Sequence, residues 1–278
     1  MKRYIYGESV KGATHERNNS PLQDSKKIVE LSDNIAIVSV ADGHGSKKCP
    51  LSEFGSQMAV NVFCDVMKRY IESYSTSKKE LAAFVSYLNR EGELSVAKEI
   101  CKEWQSRVRR SFDKRKDDYK ELIDGNGNVD WKGVYSLYGT TLLGMLITDT
   151  FVFTFQIGDG DINIVTPDSV TPIVEPEKFL GTETHSLSKI DAWQKAVTSV
   201  NKKDAKEGIP YLYMLSTDGF ANSYVSDSEF KRTCREYFDM IRQHGFDAVK
   251  SNLKSWLKET SELGCGDDVT LLLAYFDR

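Results

Sequence analysis

The chain has 278 residues, 40% of them hydrophobic and 28% charged, which is ordinary for a globular protein with a substantial core. A formal net charge of −4 argues against nucleic-acid binding, which needs a basic surface, and the sequence lacks the roughly 18 consecutive apolar residues of a membrane span. Five scattered cysteines without a C-x-x-C pair, and an N-terminus without the apolar run of a signal peptide, favour the reducing cytoplasm over a disulfide-bonded or zinc-bound protein.

The first clearly predicted elements are a buried strand and a long helix. Residues 34–43, NIAIVSVADG, predict a strand because their apolar residues are mostly β-branched and a glycine ends the run. Residues 78–118 predict further helix, richly charged and interrupted near Gly92, which we expect to be a helical insert in a single domain over residues 1–278. Between the strand and this helical region lies the predicted long helix. Apolar residues recur every four positions on one of its faces: Phe54, Met58, Val62, Val66 and Tyr70.

The second half of the chain predicts mainly strands. Residues 134–149 and 150–166 are two long β-type runs that meet at Asp149 and indicate an antiparallel hairpin. Residues 166–190 hold three of the six prolines and no clear period, so we expect a long functional loop. The remaining predicted elements are two strands, two helices and a last strand, over residues 195–200, 211–219, 227–243, 246–260 and 269–276.

Strands and helices occur in blocks and do not alternate strictly, which favours an α+β fold with a largely antiparallel sheet. Continuously apolar strands such as TLLGMLI, residues 141–147, imply burial on both faces. The sequence therefore predicts two packed, mainly antiparallel β-sheets sandwiched between α-helical layers.

Acidic residues recur at the ends of the predicted strands. They are Asp24, Asp42, Asp159, Asp161, Asp218, Asp267 and Asp268. A single Asp-Gly pair is an ordinary turn signal, but here ADGHGS leads into a helix and STDGF is not followed by a return strand. Because the chain has four histidines, several converging carboxylates favour Mg²⁺ or Mn²⁺ over zinc. Two such ions joined by a water can activate that water and clamp a phosphoryl group.

Five motifs, ADGHGS, YGTTLLGMLI, IGDGD, LSTDGF and GCGDDVT, occur in the order and at roughly the spacing of the type 2C metal-dependent serine/threonine protein phosphatases. Near the N-terminus, GATHERNNSPLQDS is similar to the bacterial branch of that family. The resemblance implies a phosphatase that hydrolyses phosphoserine and phosphothreonine in the protein substrates of a Ser/Thr kinase. It also implies two Mn²⁺ or Mg²⁺ ions with a bridging water, and we expect the protein to be a monomer.

The resemblance also assigns roles to individual residues. Asp42 bridges two ions, and the Gly43 carbonyl binds one of them because glycine lets the backbone turn sharply toward the metal. Asp218 and Asp267 bind the other ion. Two further residues complete the catalytic set: Asp24, which acts through water, and His44, which is the general acid for the leaving alkoxide.

The sequence departs from the family at two positions. Asn222 stands where many members carry an aspartate that, with the acid corresponding to Asp159, helps to hold a weaker third ion. The family's phosphate-contacting arginine has no unambiguous match. Arg17 is the nearest candidate by spacing, with His15 beside it, so we assign both to the substrate phosphate.

Three rival interpretations come from shorter patterns. Residues 159–163, DGDIN, resemble the paired aspartates of haloacid-dehalogenase-type phosphohydrolases, with Asp159 and Asp161 as nucleophile and acid. A non-catalytic relative that binds phosphoproteins is a second alternative, although Asp42, Asp218 and Asp267 are all present. Residues 101–107, CKEWQSR, fit the C-x5-R spacing of cysteine-dependent phosphatases, but they lack glycine and fall within a predicted helix.

Overall fold

The structure is a computed structural model that describes residues 2–74, 78–175, 184–202 and 210–277. The strands are β1 (Lys2–Val10), β2 (Ser25–Ser32), β3 (Ile35–Ala41), β4 (Leu142–Ile147), β5 (Phe151–Ile157), β6 (Asp161–Val165), β7 (Val170–Val174), β8 (Val197–Lys202), β9 (Tyr211–Ser216) and β10 (Val269–Asp277). The helices are α1 (Ala13–Asn18), α2 (Ser52–Ser73), α3 (Lys78–Glu91), α4 (Ala97–Phe112), α5 (Trp131–Leu137), α6 (Asp218–Ala221), α7 (Asp227–His244) and α8 (Phe246–Leu263).

The strands form two five-stranded antiparallel sheets. Sheet A has the order β1-β10-β9-β6-β7, and sheet B has the order β2-β3-β4-β5-β8. Helices α7 and α8 pack on sheet A, whereas α2 packs on β2, β3 and β4 of sheet B. This arrangement confirms the predicted α+β fold of two packed sheets between helical layers.

Alternation along the central strands divides the core into layers. Leu143 and Met145 of β4 meet Leu272 and Ala274 of β10 in an apolar cluster between the two sheets. The intervening residues of each strand face the helices, those of β4 in the cluster with α2 and α4, and those of β10 in the cluster with α7 and α8. Because both faces of these strands are buried, the runs are apolar throughout, as the sequence predicted.

The run over residues 134–149 is only partly a strand. Its first residues belong to α5, and β4 begins at Leu142. Asp130 caps this helix by accepting a hydrogen bond from the Gly133 N–H at 3.1 Å, while Val134 and Tyr135 are buried. Short apolar runs do not distinguish a buried helix from a buried strand, which is why the strand prediction was wrong here. The predicted hairpin between β4 and β5 is confirmed.

The run over residues 150–166 divides between the two sheets. β5 lies in sheet B and β6 lies in sheet A, although the sequence predicted one continuous strand. The break falls at Gly158, whose φ of +119° lies in the region that favours glycine. The chain therefore crosses from one sheet to the other at Asp159, next to one of the predicted site residues.

The region over residues 78–118 contains α3, a π-helical turn (Gly92–Val96) and α4, so the predicted interruption near Gly92 is confirmed. Cys101 is buried in α4, and burial raises the pKa of its thiol to about 12, which does not suit a catalytic nucleophile. In the predicted loop over residues 166–190, the structure contains β7, and residues 176–183 lie outside the described ranges.

The remaining strand and helix predictions are confirmed with small shifts of their ends. The sequence did not predict β1, which pairs with β10 along its whole length. Among the described residues, no helix combines the length and apolarity needed to cross a membrane.

Candidate metal centre

The register of sheet B brings several acid-bearing strand ends to one edge. Ala41 at the end of β3 pairs with Ser25 at the start of β2, and Leu142 at the start of β4 pairs with Ile157 at the end of β5. The residues that flank these ends therefore lie on the same edge of the sheet. They include three of the predicted acids, Asp24, Asp42 and Asp159.

The register of sheet A brings the strand ends next to the remaining acids to one edge of that sheet. Ser216 at the end of β9 pairs with Asp161 at the start of β6 and with Leu271 near the start of β10. Asp218 and Asp267 flank these ends, and β3 contacts both β9 and β10 across the two sheets. We call the five acids that collect at this edge the carboxylate cluster: Asp24, Asp42, Asp159, Asp218 and Asp267.

Hydrogen bonds to residues 139–141 fix the backbone at Asp42. The Asp42 N–H donates to Thr141 Oγ1 at 2.9 Å, and its carbonyl accepts from the Thr141 N–H and from Thr140 Oγ1, both at 2.8 Å. Two residues on, the His44 N–H donates to the Gly139 carbonyl at 3.0 Å. The YGTT motif, to which the sequence analysis gave no role, therefore holds the ADGHGS motif in place.

Gly43 occupies a position where a larger residue does not fit. A Cβ atom there would lie 2.7 Å from the Gln23 carbonyl oxygen and 2.8 Å from the Ser52 carbonyl oxygen. The side chain of Gln23 also donates to Ser52 Oγ at 2.6 Å, which ties these two neighbours together. The close approach of three backbone segments explains the glycine that follows Asp42.

Burial and neighbouring carboxylates raise the pKa values of three acids of the carboxylate cluster, Asp24, Asp42 and Asp218. Burial raises the pKa of Asp42 well above its ordinary value, and the charges of Asp24, Asp218, Asp267 and Asp159 raise it further. Burial also raises the pKa of Asp218 to about 6, with contributions from Asp159 and Asp267, while a hydrogen bond with Asp42 opposes the shift. The carboxylates thus lie close enough together for their charges to disfavour one another's ionisation.

Asp24 lies at the inner side of the cluster. It is buried and accepts a hydrogen bond from Thr217 Oγ1 at 2.7 Å. Burial raises its pKa well above the ordinary value, and the charges of Asp268 and Asp218 add to the shift, whereas the bond from Thr217 opposes it. Asp24 therefore links the loop before β2 to the turn that carries Asp218.

Asp267 and Asp268 are adjacent in sequence but have different surroundings. Asp268 is 3% exposed, accepts the backbone N–H groups of Gly12 and Gln23 at 2.7 Å each, and lies 2.9 Å from Nδ1 of His15. The Asp267 side chain is 52% exposed, its Oδ1 accepts the N–H of Asp268, and the same atom lies 3.9 Å from Nε2 of His15. Asp267 thus remains accessible, while Asp268 organises the surrounding backbone.

His44 lies between groups of opposite charge. Burial lowers its pKa, the carboxylate of Asp159 opposes this effect, and the ammonium group of Lys189 adds to it. These interactions place His44 beside the carboxylate cluster, as its predicted role as general acid requires.

Two further residues that the sequence placed at the site, Arg17 and Asn222, form side-chain hydrogen bonds. Arg17 lies on α1, is exposed, and donates from its guanidinium to Thr14 Oγ1 at 3.0 Å. Asn222 donates from Nδ2 to Asp218 Oδ2 at 2.9 Å, so it occupies one oxygen of a predicted metal ligand.

The chemistry of the cluster fits divalent ions that prefer oxygen ligands. Across the described ranges, neither Asp42 nor Asp218 forms an ion pair with a lysine or arginine, so a cation would neutralise charge that the protein leaves uncompensated. Within the same ranges, no group of three or more His, Cys, Asp or Glu side chains has an arrangement that could hold a metal ion. Carbonyl groups and water, which Mg²⁺ and Mn²⁺ also accept as ligands, would have to supply the remaining coordination.

The fold resembles those of several solved phosphatase structures. The serine/threonine phosphatase of S. agalactiae has a TM-score of 0.60 and 15% identity, covering 99% of this chain and 100% of that chain. The Mycobacterium tuberculosis serine/threonine phosphatase PstP/Ppp has a TM-score of 0.56 and 14% identity, covering 100% of both chains. The catalytic domain of serine/threonine protein phosphatase PstP in complex with two manganese ions has a TM-score of 0.57 and 15% identity, covering 99% of both chains.

Comparison with curated proteins gave no match. The sequence model of one family, described as Protein phosphatase 2C, matches residues 11–258. This match spans most of the chain and includes the ADGHGS, IGDGD and STDGF motifs, with β3, β5 and β9 behind them. The chain belongs to the protein phosphatase 2C family.

Proposed function

We propose that this protein phosphatase hydrolyses phosphoserine and phosphothreonine in proteins at the carboxylate cluster, with two divalent metal ions. The observation that carries the proposal is the convergence of acids from both sheets at one edge: burial raises the pKa of Asp42 and of Asp218, neighbouring carboxylates raise both further, and neither acid forms an ion pair with a lysine or arginine among the described residues. When bound, the two ions supply an activated water and neutralise charge on the phosphoryl group. Manganese in the PstP structure supports a two-ion site, and either Mn²⁺ or Mg²⁺ suits these oxygen ligands.

Each residue of the site has a proposed task. Asp42 would hold both ions from sheet B, with the Gly43 carbonyl as a further ligand for one of them. Asp218 and Asp267 would hold the other ion from sheet A. Asp24, buried against Thr217, would orient water beside the ions.

His44 gives its proton to the leaving oxygen of serine or threonine while the phosphorus–oxygen bond breaks. Because burial lowers its pKa, the imidazolium form is a stronger acid than an exposed histidine, and the negative charge of Asp159 helps to retain the proton. The contact between Arg17 and the substrate phosphate stays a prediction. In the structure, the Arg17 guanidinium donates a hydrogen bond to Thr14.

We propose that a third ion binds weakly at Asp159. Asn222 provides an amide where many family members provide a carboxylate, and its Nδ2 donates to Asp218 Oδ2. This position therefore has one negative charge fewer, and one oxygen of the neighbouring Asp218 already accepts a hydrogen bond.

Membership of the 2C family does not favour the haloacid-dehalogenase alternative for Asp159 and Asp161. Asp161 begins β6 and is buried, with its backbone paired to Ser216. Assignment to the cytoplasm, a monomeric state, a Ser/Thr kinase that supplies the substrates, and a single domain over residues 1–278 stay predictions from the sequence.

Turnover of a phosphothreonine peptide and of p-nitrophenyl phosphate, measured with and without Mn²⁺, tests the proposed function. We expect Asp218→Asn to abolish turnover and weaken Mn²⁺ binding while the protein stays folded. Asp117→Asn is the matched control, because the Asp117 side chain is 99% exposed and has one ion contact at 3.9 Å. Full activity of the Asp218→Asn protein would show that the site assignment is wrong.

A further inference from the structure

His15 lies between the two adjacent acids at the start of β10. Its Nδ1 atom is 2.9 Å from Oδ1 of Asp268, and its Nε2 atom is 3.9 Å from Oδ1 of Asp267. The His15 side chain is 15% exposed, so the protein holds the ring in one orientation at the edge of the carboxylate cluster. The ring thus faces a buried acid on one side and an accessible proposed metal ligand on the other.

The hydrogen bonds of Asp268 identify the donor in its contact with His15. Oδ1 of Asp268 accepts the Gly12 N–H and Oδ2 accepts the Gln23 N–H, both at 2.7 Å, so this carboxylate acts as an acceptor on both oxygens. Nδ1 of His15 therefore carries the hydrogen in its bond to Asp268. In the neutral imidazole this assignment leaves the lone pair on Nε2.

The Nε2 atom faces other groups of the site. A Cβ atom on Gly45, in the ADGHGS motif, would lie 3.6 Å from Nε2, so the ring approaches the loop that contains Gly43. The 3.9 Å between Nε2 and Asp267 Oδ1 is too long for a hydrogen bond. It is short enough for both atoms to bind one ion, because metal–ligand bonds to nitrogen and oxygen are about 2.0–2.2 Å.

We propose that His15 is a metal ligand, binding through Nε2 the ion that Asp267 holds, with Asp268 as the acceptor that orients its ring. A histidine that binds a metal commonly donates its other N–H to a carboxylate, and Asp268 has this relation to His15. The inference rests on the proposed metal-dependent function, and it replaces the predicted contact between His15 and the substrate phosphate.

The assignment has a consequence for the choice of metal. Imidazole nitrogen suits Mn²⁺ better than Mg²⁺, which prefers oxygen ligands. An ion site with His15 therefore favours Mn²⁺, whereas a site built from carboxylates and carbonyls alone accepts either ion.

Pulsed electron paramagnetic resonance of the Mn²⁺-loaded protein tests the assignment, because a directly bound histidine nitrogen modulates the Mn²⁺ electron spin echo. The key variant is His15→Asn, whose amide keeps a donor for Asp268 but has no atom at the position of Nε2. His15→Ala is the second variant, and His244→Ala at the exposed end of α7 is the matched control. Circular dichroism verifies that each protein is folded.

We expect nitrogen modulation in the wild type and in His244→Ala, and its loss in both His15 variants. Mn²⁺ affinity should fall by about 10–100-fold in His15→Asn, with a smaller change for Mg²⁺. A wild-type protein that binds Mn²⁺ and hydrolyses phosphopeptide without nitrogen modulation overturns the role of His15 and leaves the proposed function intact. A higher KM for phosphopeptide with unchanged Mn²⁺ affinity in His15→Asn also overturns it, and a wild type that binds no Mn²⁺ contradicts the proposed function.

Discussion

In sheet B, the backbone at Asp42 is held by hydrogen bonds with Thr140 and Thr141, and Gly43 packs directly against neighbouring backbone. In sheet A, the side chain of Asp268 holds the corresponding region by accepting the N–H groups of Gly12 and Gln23. The first arrangement depends mainly on backbone geometry and packing space, whereas the second depends on one buried charge.

This difference separates the groups that govern metal binding and turnover from the groups that also govern stability. Carboxylates that point into the cluster should govern metal binding and turnover, because burial and neighbouring carboxylates disfavour the charged forms of Asp42 and Asp218 in the metal-free protein. Residues that hold the two strand ends should govern stability as well. Substitutions on each side test whether the two properties can be changed separately.

Asp42→Asn should have the largest effect on activity. Removing the carboxylate proposed to hold both ions should lower the turnover number by at least about 10²–10³-fold, the usual loss for one electrostatic group at a reacting centre. The metal-free protein should be at least as stable as the wild type, because repulsion with Asp218 and Asp24 is relieved. Phosphopeptide kinetics and urea unfolding check both parts, and a large loss of stability would contradict the account.

On the sheet B side, Gly43→Ala should reduce both turnover and the stability of the fold. The added Cβ atom would lie 2.7 Å from the Gln23 carbonyl oxygen, so the backbone must move and displace the carbonyl proposed to bind a metal. Overpacking of this kind costs about 1–3 kcal/mol of unfolding free energy. Gly125→Ala is the control, since a Cβ there meets nothing within 4 Å. Equal stability of the two variants would show that the close approach at Gly43 is unimportant.

Asp267→Asn and Asp268→Asn should separate the two properties on the sheet A side. Asp267 is half-exposed, so its substitution should weaken Mn²⁺ binding and change the unfolding free energy by less than about 0.5 kcal/mol. Asp268→Asn places an amide donor where the carboxylate accepts three hydrogen bonds, which should cost about 1–3 kcal/mol. Isothermal titration with Mn²⁺ and urea unfolding of both variants measure the contrast. If both substitutions changed Mn²⁺ affinity and unfolding free energy to the same extent, the proposed contrast between Asp267 and Asp268 would be wrong.

The smallest expected effect is a pH dependence of the metal-free protein. The folded pKa of Asp218 is raised to about 6, whereas the ordinary value is 3.8, so the folded state retains its proton more strongly than the unfolded state. Stability attributable to this group should therefore fall as pH rises from about 4 to 6 and stay low above that range. A loss of about 1 kcal/mol lowers Tm by roughly 2–4 °C in a protein of this size.

Thermal unfolding in chelator, compared between the wild type and Asp218→Asn, isolates this contribution. The difference in Tm between the two proteins should grow in favour of the variant from pH 4 to pH 6. Saturating Mn²⁺ at neutral pH should stabilise the wild type and reverse the order. A constant difference across the pH range would mean that folding does not raise the pKa of Asp218.

The sequence predicted the acids at the strand ends because apolar runs rich in β-branched or aromatic residues stop abruptly near Asp42, Asp159 and Asp218. It did not predict α5, since apolar residues around Val134 fit a buried helix as well as a strand. The division of residues 150–166 between two sheets depends on the left-handed conformation of Gly158, which a run of strand-forming residues conceals.

The supporting network was less accessible to sequence reasoning than the acids themselves. Asp268 accepts its bond from Gly12 across 256 positions of the chain, a contact that only the fold brings together. The Asp267–Asp268 pair was visible in the sequence, but its division into an accessible acid and a buried organiser depends on burial. Arg17 and His15 were assigned together to the substrate phosphate because α1 was not predicted; in that helix, residues two positions apart do not share a face.

Anomalous scattering from crystals of the wild-type protein soaked in Mn²⁺ tests the central claim most directly. We predict two strong peaks at the edge of the sheets, within bonding distance of the Asp42 carboxylate, with the Gly43 carbonyl, Asp218 and Asp267 as further ligands. Well-ordered crystals in which these oxygens have no manganese peak among them would contradict the account.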